Sequence, residues 1–331
     1  MAELVHTLAA QEAHGRRRQM LQTAFGSTIA AALADPAVLE VMVNPDGKLW
    51  IDRAAEGRFD TGERIGSAEA ERIIRLVAAH VRREVTDRNP IVSAELPDSG
   101  ERFEGVMPPV AIAPCFSIRK PAEILFTLSD YVASGIMNRI QADALGRAVR
   151  ERRTIVVVGG TSSGKTTLVN ALLAEVASLD ERVVILEDTR ELRCAAADVV
   201  ALRTKPGVAS LADLVRSTLR LRPDRIVVGE VRGPEALDML KAWNTGHPGG
   251  ITTLHANSPL SALYRLEQLV QEAVVTVPRD LIAQAIELLV FLDGRGTNRR
   301  VTAILELTGI DDNGDYVLKP LDKPALRPVA S

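Results

Sequence analysis

The chain has 331 residues, of which 46% are hydrophobic and 25% are charged. This composition is typical of a globular protein of about two domains, and it excludes a disordered, collagen-like or disulfide-stapled chain. A net charge of −3 and an aromatic content of 3% give no support to a polyanion-binding or base-stacking protein, so stable nucleic-acid binding is not expected.

Residues 1–118 have the pattern of a small α+β domain in which helices alternate with hairpins. Helices are predicted over 21–33, which is rich in Ala, and over 68–81, where apolar residues recur at helical spacing. The turn sequences Asn-Pro-Asp-Gly at 44–47 and Pro-Asp-Ser-Gly at 97–100 lie between short apolar runs and therefore predict two hairpins.

A cluster of prolines predicts an irregular linker over 119–135, and a second domain is predicted over 136–331. Its predicted strands lie at 154–158, 183–186, 226–228 and 251–254, and its helices at 165–176, 211–219, 234–243 and 259–270. Apolar runs without polar alternation, separated by helices, indicate an α/β domain with a parallel sheet covered on both faces. A helix at 281–292 and a hairpin of 301–307 and 316–318 are expected to complete it.

The sequence also bears on the compartment. No run of 18 apolar residues occurs, and the basic residues 16–18 follow the first apolar residues, which is the wrong order for a signal peptide. We therefore expect a cytosolic protein whose contact with any membrane is peripheral. Cys115 and Cys194 show no metal-ligand spacing and are expected to be buried thiols in a reducing compartment.

Residues 159–166 fit the phosphate-binding pattern G-x-x-x-x-G-K-[ST] between a predicted strand and a predicted helix. In this pattern backbone N–H groups surround a phosphate, Lys165 supplies charge to the β- and γ-phosphates, and the Thr166 hydroxyl is offered to Mg²⁺. The chain has no Asn-Lys-x-Asp guanine-reading motif, so the predicted nucleotide is ATP. The residues predicted to contact it are Gly159, Gly160, Thr161, Ser162, Ser163, Gly164, Lys165, Thr166 and Thr167.

Polar side chains follow three of the predicted strands. Glu187, Glu230 and His255 stand where these strands end, and the carboxyl ends of parallel strands meet at the ligand-binding edge of a sheet. One carboxylate could orient the attacking water, the other could hold a metal-bound water, and a neutral imidazole could sense the γ-phosphate. The structural alternatives are a helix cap or a pair with Arg190 for Glu187, a pair with Arg232 for Glu230, and a buried histidine.

Two arginines of the first domain are candidates for phosphate contact. Arg102 lies in the second predicted hairpin, and Arg119 lies just before the linker. If the domains pack across a cleft, these side chains could act as arginine fingers. The alternative is that both are solvated surface residues.

Four segments of the second half occur in a fixed order. They are GGTSSGKTT at 159–167, ILEDTREL at 185–192, LRLRPDRIVVGEVRG at 219–233 and GHPGGITTLHAN at 246–257. These segments resemble the Walker A, Asp-box, Walker B and His-box motifs of the type II/type IV secretion ATPase superfamily. The likeness is greatest to its conjugative-transfer branch within type IV secretion.

The resemblance implies a RecA-like P-loop ATPase domain behind a smaller α+β N-terminal domain. It also implies a homohexamer that docks on inner-membrane components at the cytoplasmic face of the inner membrane and hydrolyses ATP to power pilus assembly or DNA–protein transfer. The matching residues are Glu187, Glu230 and His255 for catalysis, Arg102 and Arg119 for the phosphates, Arg222 near the nucleotide, and Thr166, Glu187 and Glu230 for Mg²⁺.

Several alternatives remain open at this point. A type II secretion or type IV pilus motor would share every one of these residues. A nucleotide-dependent ring scaffold with negligible turnover and a DNA helicase would share the core fold. Motif matching also leaves open whether Glu187 or Glu230 activates the water.

Overall fold

The computed structural model describes residues 2–54, 56–97, 100–121, 126–205 and 207–321, without the side chains of 2–14, 16–18 and 297. The chain divides into two compact units, Met1–Glu123 and Ile124–Ser331. Within the described ranges, none of the helices combines the length and the apolar content that crossing a bilayer requires.

The first unit is built on a six-stranded antiparallel sheet. Its elements are α1 (Ala2–Ala34), β1 (Val38–Val43), β2 (Lys48–Arg53), β3 (Gly57–Arg64), α2 (Ser67–His80), β4 (Ile91–Glu95), β5 (Arg102–Val106) and β6 (Cys115–Arg119). The strand order is β3-β2-β1-β6-β5-β4. The apolar residues of α1, α2 and the sheet form one buried core.

Both predicted hairpins and the predicted helix at 68–81 are confirmed in this unit. Strands β3 and β6 were not predicted from the sequence. Strand β6 is central, because it pairs with both β1 and β5 and buries Phe116 and Ile118 in the core. Helix α1 begins far before the predicted start, and Gly26 interrupts its helical geometry with φ 68° and ψ −179°.

The second unit is built on an eight-stranded mixed sheet. Its elements are α3 (Leu128–Ala133), α4 (Arg139–Arg150), β7 (Ile155–Gly159), α5 (Lys165–Val176), β8 (Arg182–Glu187), β9 (Asp198–Arg203), α6 (Leu211–Thr218), β10 (Arg225–Val228), α7 (Glu235–Asn244), β11 (Ile251–His255), α8 (Pro259–Gln271), α9 (Arg279–Ala285), β12 (Leu288–Asp293), a 3-10 turn (Gly296–Asn298), β13 (Arg300–Ile310) and β14 (Tyr316–Pro320). The strand order is β14-β13-β12-β7-β11-β10-β8-β9.

The predicted α/β alternation is confirmed for β7, β8, β10 and β11 and for the four helices that follow them. The predicted helix at 281–292 is wrong: α9 ends at Ala285, and the next apolar run forms β12, which pairs parallel with β7. The terminal hairpin is confirmed as β13 and β14, which extend the parallel strands with antiparallel ones. Strand β9 and helices α3 and α4 were missed.

The packing explains why the strands lack polar alternation. Val156 and Val158 of β7 belong to the core on one face of the sheet, and Ile155 and Val157 belong to the core on the other face. Both faces of the strand are therefore dry, as the sequence pattern predicted. In the sheet register Gly159 is level with His255 of β11 on one side and with Leu292 of β12 on the other.

Candidate nucleotide-binding site

The loop between β7 and α5 has a backbone that requires glycine at two positions. Gly164 adopts φ 91°, which is strained for other residues, and it caps α5 immediately before Lys165. A Cβ atom on Gly159 would lie 2.6 Å from the Leu292 carbonyl oxygen and from Ser163 Oγ. The loop therefore combines tight local packing with the N-terminus of a helix, which is the geometry of an anion-binding site.

Lys165 is almost fully buried, with 6% exposure, and its ammonium group turns onto its own loop. Nζ donates hydrogen bonds to the carbonyl oxygens of Gly160, at 2.9 Å, and Gly159, at 3.1 Å. It also lies 3.3 Å from Nε2 of His255. The charge that the sequence analysis assigned to the β- and γ-phosphates thus stands at the loop and beside the imidazole.

His255 and Glu230 are brought together as predicted from the strand ends. His255 Nε2 lies 3.0 Å from Glu230 Oε1, and Glu230 also forms an ion pair with Arg232, which the alternative interpretation had expected. The His255 side chain is 44% exposed, so it is not the buried histidine of the other alternative. Contacts therefore run from Lys165 through His255 and Glu230 to Arg232.

Glu187 lies on the same edge of the sheet, but its carboxylate is bound to the backbone of the segment that follows β8. Glu187 is 4% exposed, and its Oε1 accepts hydrogen bonds of 2.9 Å from the backbone N–H groups of Glu191 and Leu192. Burial raises the pKa of Glu187 from 4.5 to about 7, against the opposing effect of the two backbone N–H groups. Glu187 thus fixes the segment that follows β8.

Glu191 is a site residue that the sequence analysis did not single out. Its Oε2 accepts a hydrogen bond of 3.2 Å from the Thr166 hydroxyl, and its backbone oxygen accepts one of 3.1 Å from Asn170 Nδ2. The available signal was its place as the last acidic residue of ILEDTREL. It brings a carboxylate to the hydroxyl that was predicted to face Mg²⁺.

The three remaining predicted arginines lie elsewhere. Arg222 precedes the amino end of β10, so it stands at the sheet edge opposite the phosphate-binding loop of its own chain. Arg102 of β5 and Arg119 of β6 are direct cross-strand partners in the first unit. The structure therefore brings Arg102 and Arg119 together, and their contact with phosphate stays a prediction.

Comparison with known proteins gives consistent matches. A family model described as type II/IV secretion system protein matches residues 23–292. The chain is 48% identical to the conjugal transfer protein TrbB of Rhizobium radiobacter, over 91% of this chain and 93% of that protein. It is 34% identical to the type IV secretion system protein PtlH of Bordetella pertussis, over 82% of this chain and 91% of that protein.

A solved structure with the same fold is that of the pilus retraction motor PilT with bound ADP. The TM-score is 0.57, and the match covers 90% of this chain and 80% of that chain. The two sequences are 17% identical, so this likeness shows the fold alone.

Proposed function

Because the chain belongs to the type II/IV secretion system protein family, we propose that it is the ATP-hydrolysing motor of a conjugal-transfer type IV secretion machine. The observation that carries the proposal is the row of contacts from Lys165 through His255 to Glu230 at the phosphate-binding loop. The Lys165 ammonium, the His255 imidazole and the Glu230 carboxylate lie together where the terminal phosphate of ATP would be held.

The conjugative assignment is favoured over a type II secretion or pilus motor by the relatives. The protein named for conjugal transfer covers nearly the whole chain at high identity, and a protein named for type IV secretion covers most of it. The pilus motor supports the fold only.

The geometry suggests different roles for the two glutamates. We propose that Glu230 orients the attacking water, because its carboxylate is only partly buried and already contacts His255. Glu187 is the better candidate for a positioning residue, because both of its backbone hydrogen bonds hold the segment that carries Glu191. His255, between Lys165 and Glu230, would report the arrival of the γ-phosphate to the carboxylate.

Mg²⁺ fits the oxygen donors beside the loop. Mg²⁺ is usually held by one or two protein oxygens together with phosphate oxygens and water, and Thr166 with the neighbouring Glu191 carboxylate offers such a set. Across the part of the chain that the structure describes, no three acidic, imidazole or thiol side chains form a metal site of their own. We propose Thr166 as the ligand and Glu191 as the holder of a metal-bound water. The bound ion would neutralise charge on the phosphates.

Assembly and location are also proposed from the family. We propose a homohexameric ring at the cytoplasmic face of the inner membrane, docked on membrane-embedded components of the machine. Arg222 stands at the far edge of its own sheet, so any phosphate contact by Arg222 would be made to a neighbouring copy. Sedimentation with and without a non-hydrolysable ATP analogue tests the ring; a monomer under both conditions argues against it.

The ATPase proposal is tested by steady-state turnover of the wild type and of Lys165→Ala. Lys165→Ala should lower turnover at least about 100-fold, because it removes the charge held at the loop. Lys241→Ala, on the exposed side of α7, is the matched control and should keep wild-type turnover. Equal turnover of all three proteins, with folding matched by circular dichroism, would remove the ATPase assignment. Negligible wild-type turnover with analogue-driven assembly would favour the scaffold.

The secretion role has a separate cellular test. In a donor strain that lacks this chain, the wild-type protein should restore plasmid transfer to recipients, and Lys165→Ala should not. Restoration by Lys165→Ala would show that transfer does not depend on the phosphate-binding loop.

The arginines of the first unit are tested in the same turnover assay. We propose that Arg102 and Arg119 contact the phosphates, so Arg102→Ala and Arg119→Ala should each lower kcat about tenfold or more. Arg88→Ala, an exposed arginine of the same unit, is the control. Unchanged kcat in both variants would contradict the phosphate contact and support the alternative that Arg102 and Arg119 are solvated surface residues.

A further inference from the structure

Arg299 lies on the phosphate-binding loop, although no motif pointed to it. It follows the 3-10 turn Gly296–Asn298 and precedes β13. A Cβ atom on Gly164 would lie 2.7 Å from Cζ and from Nη1 of Arg299, so the guanidinium group packs directly against the backbone of Gly164. A second basic side chain, besides Lys165, is therefore built into the loop.

The charge of Arg299 has no acidic partner in the described part of the chain. Its Nε is buried, and the N–H group there donates no hydrogen bond to any of the described residues. By contrast, Arg153, Arg225 and Arg232 of the same unit each pair with a glutamate. A guanidinium group presents five N–H donors in a planar fork. A buried N–H donor that forms no hydrogen bond is energetically unfavourable. Arg299 thus has the charge and the hydrogen-bond donors to bind an anionic ligand.

A second polar group at the same place is also unsatisfied. Ser163 is 3% exposed, and its hydroxyl has no hydrogen-bond partner among the described residues. Ser163 precedes Gly164 in the chain, and the guanidinium group of Arg299 packs against Gly164. Buried polar groups in native proteins are nearly always hydrogen-bonded, so two such groups together call for a ligand with several acceptor oxygens.

The sheet order indicates which part of the nucleotide this ligand is. Strand β7, which leads into the loop, lies between β11 and β12. His255 ends β11, while Arg299 follows β12 on the other flank. The groups suited to the γ-phosphate therefore lie on the β11 flank, and the remaining phosphates would pass over Gly164 toward Arg299.

We propose that Arg299, together with the Ser163 hydroxyl, binds the α- and β-phosphates of the nucleotide. This inference rests on the proposed ATPase function, because the direction of the nucleotide is taken from the γ-phosphate groups. Arg299 thereby holds ADP as well as ATP, and it acts in binding rather than in the chemical step.

The test measures ADP and ATP affinity, together with KM and kcat, for the wild type, Arg299→Ala and Arg299→Lys. Arg295→Ala, an exposed arginine of the same connection, is the matched control. Arg299→Ala should weaken ADP and ATP binding by the same factor, about tenfold, which is the size of one charge-assisted hydrogen bond. KM should rise while kcat at saturating ATP stays within about twofold of the wild type. Arg299→Lys should recover part of the affinity, because it keeps the charge.

Each other outcome overturns the inference in a distinguishable way. A loss restricted to ATP would place Arg299 on the γ-phosphate. Unchanged ADP affinity in Arg299→Ala, while the wild type binds and Lys165→Ala does not, would reduce Arg299 to a packing residue. If the wild type itself fails to bind ADP and ATP, the proposed function fails, and the inference falls with it.

Discussion

The buried carboxyl group of Glu187 should make the stability of the fold depend on pH. Its pKa is raised from 4.5 to about 7, so between these values the folded chain keeps a proton that the unfolded chain releases. The free energy of unfolding should therefore fall as the pH rises through this window, and it should stay lower above about pH 7. Glu187→Gln cannot titrate, so relative to the wild type it should gain on the order of 2 kcal/mol between about pH 5 and pH 8.

The measurement is urea unfolding of the wild type and Glu187→Gln at several pH values, without nucleotide or Mg²⁺. Glu272→Gln, at an exposed position after α8, is the control for losing any glutamate. Parallel pH profiles for the wild type and Glu187→Gln would mean that the Glu187 carboxyl is ionised throughout this range.

Glu230 should matter for the chemical step. Glu230→Gln keeps the size of the side chain and removes the charge that faces His255. We expect kcat to fall by about 100-fold or more, the usual contribution of a positioned acid–base group, while ADP affinity changes little. Single-turnover measurements separate the two effects. A larger loss of kcat in Glu187→Gln than in Glu230→Gln would exchange the two proposed roles.

At the scale of elements, Arg225 joins the amino ends of several strands. Its fully buried guanidinium group donates to Glu181 before β8, to the Gly249 carbonyl before β11 and to the Val149 carbonyl in α4. Arg225→Ala would leave the Glu181 carboxylate buried with weaker compensation. It would also remove the donor to the Gly249 carbonyl, while the Val149 carbonyl would keep the N–H of Arg152. We expect a loss of about 3–5 kcal/mol in the free energy of unfolding.

Arg152→Ala is the natural comparison for Arg225→Ala, because Arg152 binds the same Glu181 from a more exposed position. Its loss should be about 1 kcal/mol or less, as for surface ion pairs. Urea midpoints measure both values. Equal losses in the two variants would show that the network is not organised around Arg225.

The elements also show which parts of the fold a sequence can reveal. Strand β7 was predictable as an apolar run that ends at a turn signal, and β11 as a run rich in β-branched residues that ends at a polar residue. The run 281–292 misled because apolar continuity does not separate a buried strand from a buried helix. Its break is Glu287, whose carboxylate accepts from Arg153 and from the N–H of Thr154, and these are tertiary contacts.

The site was predictable to a similar depth. Local patterns located the phosphate-binding loop, and strand ends located Glu187, Glu230 and His255. Glu191 was missed because its contact with Thr166 depends on how an irregular segment folds back. Arg299 was missed because only the β12–β13 connection returns it to the loop, and no spacing in the sequence encodes that return.

At the scale of the whole molecule, each unit has its own buried core. The two tryptophans, Trp50 and Trp243, lie in different units. In Trp50→Phe, fluorescence therefore reports unfolding of the second unit alone. ADP at about 100 times its Kd should stabilise that unit by about 2.7 kcal/mol, and Lys165→Ala should abolish the shift. An unfolding curve that ADP leaves unchanged would contradict nucleotide binding at this loop.

The hydrogen bonds of Lys165 within its own loop bear on how long a nucleotide stays bound. The ammonium group already has two carbonyl acceptors, so an incoming phosphate replaces bonds instead of meeting an unsatisfied charge. The net free energy of nucleotide binding is smaller for that reason, because the bonds to the two carbonyl groups must be broken first. An ATPase that turns over repeatedly benefits from weaker product binding, since ADP dissociates sooner and the next ATP can bind.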